Sequence, residues 1–221
     1  MRHILRALML TTALLLSAST AQAQGDRSEL VFTLSYATLD SEFDGDASGF
    51  GLGDLQQFTQ LDDTEGFAGE IRWTRSIFAP QLRIGSAVNV ALYEEAGQDV
   101  SFFDIDGDEQ LLLITPELQL SWRQPITRHL YIEGGAGVGV VFANYQADGV
   151  MLDTTDLGDV DEWAAGFGVR PFVRAGYAWD NFVIGAEASY RFTDLEWEED
   201  EFEIDGELDQ LMVGGFVGFR F

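Results

Sequence analysis

The chain has 221 residues, no Cys and no Lys, and 38 acidic residues against 12 Arg, a formal net charge of −26. That sign disfavours nucleic acid and other anionic partners, and the lack of Cys excludes disulfide stapling and thiolate metal sites. The length suits one domain.

At the start, Arg2, His3 and Arg6 precede an apolar run over 7–16, and Ala21-Gln22-Ala23 follows. This is the charged, apolar and small-residue order of a secretory signal peptide, and the run is too short for an anchored transmembrane helix. Residues 1–23 are therefore expected to be cleaved, leaving 24–221 as one domain. Loss of Arg2 and Arg6 would leave 10 Arg against 38 acids, a net charge of −28.

Eight later segments alternate with a period of two, the mark of half-buried strands: 29–39, 66–77, 82–93, 110–123, 130–145, 163–179, 181–192 and 210–221. The connections between them alternate in kind. Those at 78–81, 124–129 and 179–181 are short. Those at 40–65, 94–109, 148–162 and 194–209 are long, hold 31 of the 38 acids and contain no Arg. Charge that sorts so completely between alternate connections marks two chemically different ends. Short turns at one end and long loops at the other, with an even strand number, predict an antiparallel up-and-down transmembrane β-barrel.

The period also assigns faces. Leu30, Phe32, Leu34 and Tyr36 share one face, as do Leu82, Ile84, Val88, Val90 and Leu92, and Phe182, Ile184, Ala186, Ala188 and Tyr190. These sets are uncharged and are expected to meet lipid. Aromatic residues gather towards both ends of the segments, with Trp122, Tyr177, Trp179, Phe219 and Phe221 near the short turns and Tyr36, Phe67, Trp163 and Phe192 near the loops. Two such belts suit the two interfaces of a membrane.

The last strand ends GFVGFRF, with Leu211, Val213, Gly215, Val217, Phe219 and Phe221 in one phase. This ending resembles the closing strand of small Gram-negative outer-membrane barrels of the OmpA/OmpX/opacity type. The resemblance implies an outer-membrane location and a monomer among outer-membrane lipid and lipopolysaccharide. It further implies that Phe219 and Phe221 form the assembly signal read by the barrel-assembly machinery, with periplasmic chaperones as partners during biogenesis. Both termini would then be periplasmic. The roles it implies are structural or surface-interacting, and non-catalytic.

On the inward phase stand Glu70, Glu117, Glu133 and Glu187 with Arg72, Arg83, Arg123, Arg170, Arg174, Arg191 and Arg220. An eight-stranded barrel has room inside only for side chains, so these charges are expected to pair as a polar plug with a surplus of about three positive charges. Pro116 and Pro171 fall within strands, which predicts a bulge or local widening at each. Arg75 reads as outward, near enough to the periplasmic face to snorkel.

Three acidic stretches repeat a pattern around a glycine: Glu42 to Asp46, Asp104 to Asp108 and Glu203 to Glu207. Alternate carboxylates are oxygen ligands suited to Ca²⁺, which makes Asp44, Asp46, Asp104, Asp106, Asp108, Glu203 and Asp205 a candidate set for Ca²⁺ or Mg²⁺. The simpler reading makes Asp-Gly a hairpin tip with solvated acids, and no Glu stands where an EF-hand loop requires one. No other cofactor is expected.

The known small outer-membrane barrels that act as enzymes resemble one another in needing a His near the extracellular rim, working with Ser, Asp or Glu. Here His3 leaves with the signal peptide and His129 falls in a periplasmic turn, so no catalytic residue is assigned. The run Gly134-Gly135-Ala136-Gly137-Val138-Gly139 lies within a strand pattern with no helix after it, so it reads as room for bulky inward neighbours and not as a phosphate loop. Besides the non-catalytic reading, the acidic crown leaves a small cation-attracting channel as the alternative and a lipid-modifying enzyme as a third.

Overall fold

The computed structural model describes residues 28–46, 58–94, 103–105, 109–152, 155–199 and 202–221. Nine strands follow in chain order: β1 (Glu29–Asp46), β2 (Phe58–Ile77), β3 (Ala79–Glu94), β4 (Phe103–Ile105), β5 (Glu109–Pro125), β6 (Leu130–Leu152), β7 (Thr155–Trp179), β8 (Phe182–Glu199) and β9 (Phe202–Arg220). Every pairing is antiparallel, and neighbours run β6-β5-β3-β2-β1-β9-β8-β7 and back to β6, which closes the sheet into an eight-stranded barrel. The short β4 lies outside the ring and pairs with the end of β6. Closure joins the first strand to the last, with Glu29 opposite Arg220 and Tyr36 opposite Val213. No free edge remains within the ring to recruit another chain.

Alternation explains why this sequence forms a wall. Leu34, Tyr36, Val90, Ile184, Val213 and Phe219 stand on the exposed outer face, while their neighbours Thr33, Ser35, Asn89, Val183, Met212 and Gly218 turn inward. A soluble barrel would reverse that polarity, because exposed apolar side chains on every strand lose free energy in water and gain it in lipid. Among the described residues no helix is long and apolar enough to cross a membrane. The strands cross it.

The barrel strands run from 16 to 25 residues, although a tilted strand needs only about 9–11 residues to cross a bilayer. The surplus lies at the acidic end. Much of what composition marks as loop is paired strand: β1 and β9 remain in register from Leu39 opposite Gln210 to Asp46 opposite Glu203, and β8 stays paired with β9 out to Glu199 opposite Phe202. Six of the eight expected segments were thus too short at that end by seven or eight residues, and those over β3 and β5 by one. Beyond the lipid, the outward phase changes from apolar to acidic while the inward phase stays apolar, as at Leu39, Leu195 and Leu208. The ladder needs only the second.

The two prolines act differently from a bulge. Pro116 pairs with Val88 on one side, but on the other the β5–β6 pairs pass from Ile114 opposite Phe142 to Glu117 opposite Gly139. Pro171 pairs with Ala136, and the β7–β8 pairs pass from Val169 opposite Phe192 to Phe172 opposite Ser189. Each removes rungs from one ladder without shifting the register, because the neighbouring strand still holds it.

Some inward glycines make room for what faces them. A Cβ on Gly176 would lie 2.3 Å from Cζ of Tyr131, and one on Gly137 would meet the Glu117 carboxyl at 3.1 Å. The glycine run of β6 therefore serves packing inside the barrel. None of the three short turns holds a glycine, and two of them use a left-handed residue, Phe78 with φ 56° and Asp180 with φ 48°.

Candidate functional site

Alternation decides which side chains share the lumen, and register decides which of them meet. The structure places Glu70, Arg72, Arg83, Glu117, Glu133, Arg170, Arg174, Glu187 and Arg191 in the buried interior, with Arg123 and Arg220 at its periplasmic mouth. Glu29 joins them. It was left out of the expected set although it shares the inward phase of Val31, Thr33 and Ser35, which is a legible signal. Five Glu thus face seven Arg, a surplus of two positive charges and not three.

These residues form one continuous column. At the periplasmic end, Arg123 donates from Nη1 and Nη2 to the two oxygens of Glu29 at 2.6 and 2.7 Å, and Arg220 Nε donates to Glu29 at 2.7 Å. Arg83 completes this group, 3.2 Å from the same carboxylate. Arg123 also donates through Nε to Glu133 at 2.7 Å, and Ser121 and Arg174 donate to the other oxygen of Glu133 at 2.8 and 3.2 Å. Arg174 reaches up to Glu187, which also accepts from Arg72 at 2.9 Å. Arg72 continues to Glu70 at 2.6 Å, and Arg170 bridges Glu70 and Glu117. Above them, Arg191 donates to Gln210 at 2.6 Å and Asn89 at 3.2 Å, and Gln210 donates to the Tyr93 hydroxyl at 2.6 Å.

Several links join strands that are not neighbours: β1 to β5, β2 to β7 and β2 to β8. Guanidinium suits this role, since its fork satisfies two oxygens at once and it keeps its charge when buried. Three cations also use ring faces, Arg123 at 3.9 Å over Tyr131, Arg174 at 3.7 Å over Phe172 and Arg72 at 5.9 Å over Phe216.

The column does not fill the lumen alone. Above it, Ala37, Leu39, Ala91, Tyr93, Leu111, Leu113, Val141, Leu195, Leu208 and Met212 pack into a buried apolar layer drawn from most of the strands. Towards the periplasm, Val31, Tyr131, Ala178, Val183 and Phe216 make a smaller one. The interior is layered, apolar over ionic over apolar, where the sequence suggested a polar plug throughout.

At the acidic end, register brings together residues that spacing alone could not. Across β1 and β9, Glu42 lies opposite Glu207, Asp44 opposite Asp205 and Asp46 opposite Glu203. Across β9 and β8 the same three face Asp194, Glu196 and Glu198. These are three successive rungs of three acidic residues. Like charges directly opposite destabilise an antiparallel pair, so these rungs depend on the buried apolar residues at their base, Leu39, Leu195 and Leu208. Of the candidate cation ligands, Asp44, Asp46, Glu203 and Asp205 thus share two rungs. Asp104 lies on β4 opposite Met151, and Asp106 and Asp108 fall outside the described residues. Among the described residues no group of three or more acids or His is gathered in a metal-holding arrangement.

At the periplasmic rim, His129 donates from Nδ1 to the Ala178 carbonyl at 2.9 Å and stacks on Tyr177 with centroids 5.4 Å apart. Ring contacts continue through Trp179 and Phe182 to Phe219. Phe221 is exposed, and its backbone exchanges hydrogen bonds of 2.9 and 3.0 Å with Ser28. The terminal aromatics thus sit on the seam where the first strand meets the last.

The closed ring, the apolar outer wall and the ion-paired layer inside it decide the class. The chain folds as an outer-membrane-type β-barrel. It is similar to the solved structures of Neisserial surface protein A, with 15% identity over 90% of this chain and 100% of that one and a TM-score of 0.48. It is also similar to the outer-membrane protein OprG of Pseudomonas aeruginosa, with 12% identity over 88% and 96% and a TM-score of 0.48. The outer-membrane protease OmpT of Escherichia coli is a third, with 10% identity over 90% and 99% and a TM-score of 0.45. No family model and no curated protein sequence matches the chain.

Glu29 serves three guanidiniums, those of Arg83, Arg123 and Arg220. Glu29→Gln should therefore lower the unfolding free energy by about 3–5 kcal/mol, the cost of breaking a buried pair from one side. The exposed Glu65→Gln should change it by less than about 0.5 kcal/mol. Urea unfolding of both variants in lipid vesicles checks the contrast, and equal effects would remove Glu29 from its place in the column.

Proposed function

We propose that the protein is a non-catalytic outer-membrane barrel that seals its own lumen and holds an acidic, β-stranded extension at the cell surface. The observation that carries this reading is the filling of the lumen at successive levels: an ion-paired column from Glu29 to Arg191, then a buried apolar layer at Leu39, Leu113, Leu195 and Met212. An ion crossing such a layer would give up its hydration for no polar partner. The acidic extension supports the rival reading of a cation-attracting channel by raising local cation concentration, but attraction at the mouth does not open the layer below.

Catalysis has little support. His129 is held in a periplasmic turn against Ala178 and Tyr177, away from the acidic end. The protease activity named for OmpT belongs to that protein.

In planar bilayers the refolded barrel should give no discrete conductance steps, with or without a cation gradient. Regular cation-selective steps would replace this reading with the channel.

The acidic rungs favour a surface that takes up divalent cations and, through them, the phosphates of surrounding lipopolysaccharide. At fixed ionic strength, millimolar Ca²⁺ should raise the temperature at which the folded, fast-migrating gel band is lost. The rise should shrink in the Asp44→Asn, Asp205→Asn double variant. A temperature unmoved by Ca²⁺ would leave those acids simply solvated and screened by salt.

A further inference from the structure

Arg191 is the least satisfied cation of the interior. Its Nη1 donates to Asn89 and Gln210, but Nε and Nη2 have no hydrogen-bond acceptor. Those two atoms are the two donors of one edge of the guanidinium, the edge that ordinarily grips an anion in bidentate fashion. The carboxylate that faces it is Glu117, whose Oε2 stands 3.6 Å from Nη2, beyond hydrogen-bond reach, while its Oε1 accepts from Arg170 and Gln119. The side chain is 0% exposed.

The surroundings repeat the deficit. Among the described residues seven buried side-chain polar atoms have no hydrogen-bond partner, and five belong to this layer: Arg191 Nε and Nη2, Arg170 Nε, Thr115 Oγ1 and Ser189 Oγ. Thr115 lies opposite Asn89, itself a partner of Arg191. Ser189 stands two residues before Arg191 on the same strand, hence on the same face. The pairs that bracket the Pro171 interruption bring Arg170 and Arg191 level on adjacent strands. Arg170 pairs with Glu70, Glu117 and Glu187, whereas Arg191 beside it has only Glu117, and that at 3.6 Å. Arg170, Thr115 and Ser189 are 2%, 1% and 5% exposed.

We propose that this layer is a binding site for one small monovalent anion of halide size, gripped by the free edge of Arg191 and approached by the Thr115 and Ser189 hydroxyls. The anion would offset part of the interior's surplus of two positive charges and supply an acceptor where desolvation is most costly. It would enter during folding, because the apolar layer of Leu113, Leu195 and Met212 closes the lumen above. A carboxylate as bulky as gluconate does not fit between packed strands.

The full chain, refolded separately in sodium chloride, sodium bromide and sodium gluconate at equal ionic strength, tests this. The cation is the same in all three, so the acidic extension contributes no difference. The heat-modification midpoint should be higher by several degrees in chloride and bromide than in gluconate, and Arg191→Met should abolish the difference. Should Arg191→Met fail to fold, the milder Thr115→Val, Ser189→Ala double variant takes its place and should shrink the difference. A crystal grown from bromide should show an anomalous peak within hydrogen-bond distance of Nε and Nη2. Equal midpoints in all three salts, or water without bromide at that edge, would overturn the proposal.

Discussion

Everything in this barrel depends on one constraint: seven guanidiniums and five carboxylates must share a space from which bulk water is excluded. Burying any one of them alone would cost more than folding supplies. The chain meets the constraint by arranging them in sequence along the axis, so that Glu29, Glu133, Glu187, Glu70 and Glu117 each meet at least two Arg and most Arg meet two Glu. Several of these pairs, such as Glu29 with Arg123, Glu70 with Arg170 and Arg72 with Glu187, join strands that are not neighbours, so the column fixes the barrel's cross-section as well as its charge.

The apolar layers give the column its setting. The upper one lies where β1, β8 and β9 leave the lipid and the outer face turns acidic, and Tyr93 joins the two zones by accepting from Gln210 while packing among Leu111, Leu113 and Met212. Strands carrying directly opposed acids would separate without an inward face worth burying. Leu39, Leu195 and Leu208 provide that face, each almost fully buried. Sealing the lumen and supporting the extension are therefore one act of packing. This is why a barrel built to display charge outward is apolar just beneath it.

The closed eight-stranded barrel and the inward or outward phase of each residue were legible because lipid imposes a period of two that charge does not blur. The phase of Leu30, Phe32, Leu34 and Tyr36 against Glu29, Val31, Thr33 and Ser35 needs no partner to be read. Strand length was not legible by the same criterion. Once past the lipid, residues such as Glu42, Asp44 and Asp46 keep the period but lose the apolar outward face, so β1 seemed to end near Leu39. Alternation also gives a face without a height or an azimuth, which is why the pairing of Arg72 with Glu187, 115 residues away, could not be read from the sequence. The rungs that set Asp44 against Asp205 were hidden for the same reason. Glu29 was legible, but it stands at the first position of its strand, where pattern is weakest.

The central claim is that the strands are tied across the lumen by these ion pairs and not only along their edges. A double-mutant cycle between Glu70 on β2 and Arg170 on β7, which do not pair in the sheet, tests it most directly. Equilibrium unfolding of Glu70→Gln, Arg170→Met and the double variant should yield a coupling of about 1–3 kcal/mol. Additive effects would mean that the walls hold themselves and the column merely fills the space between them.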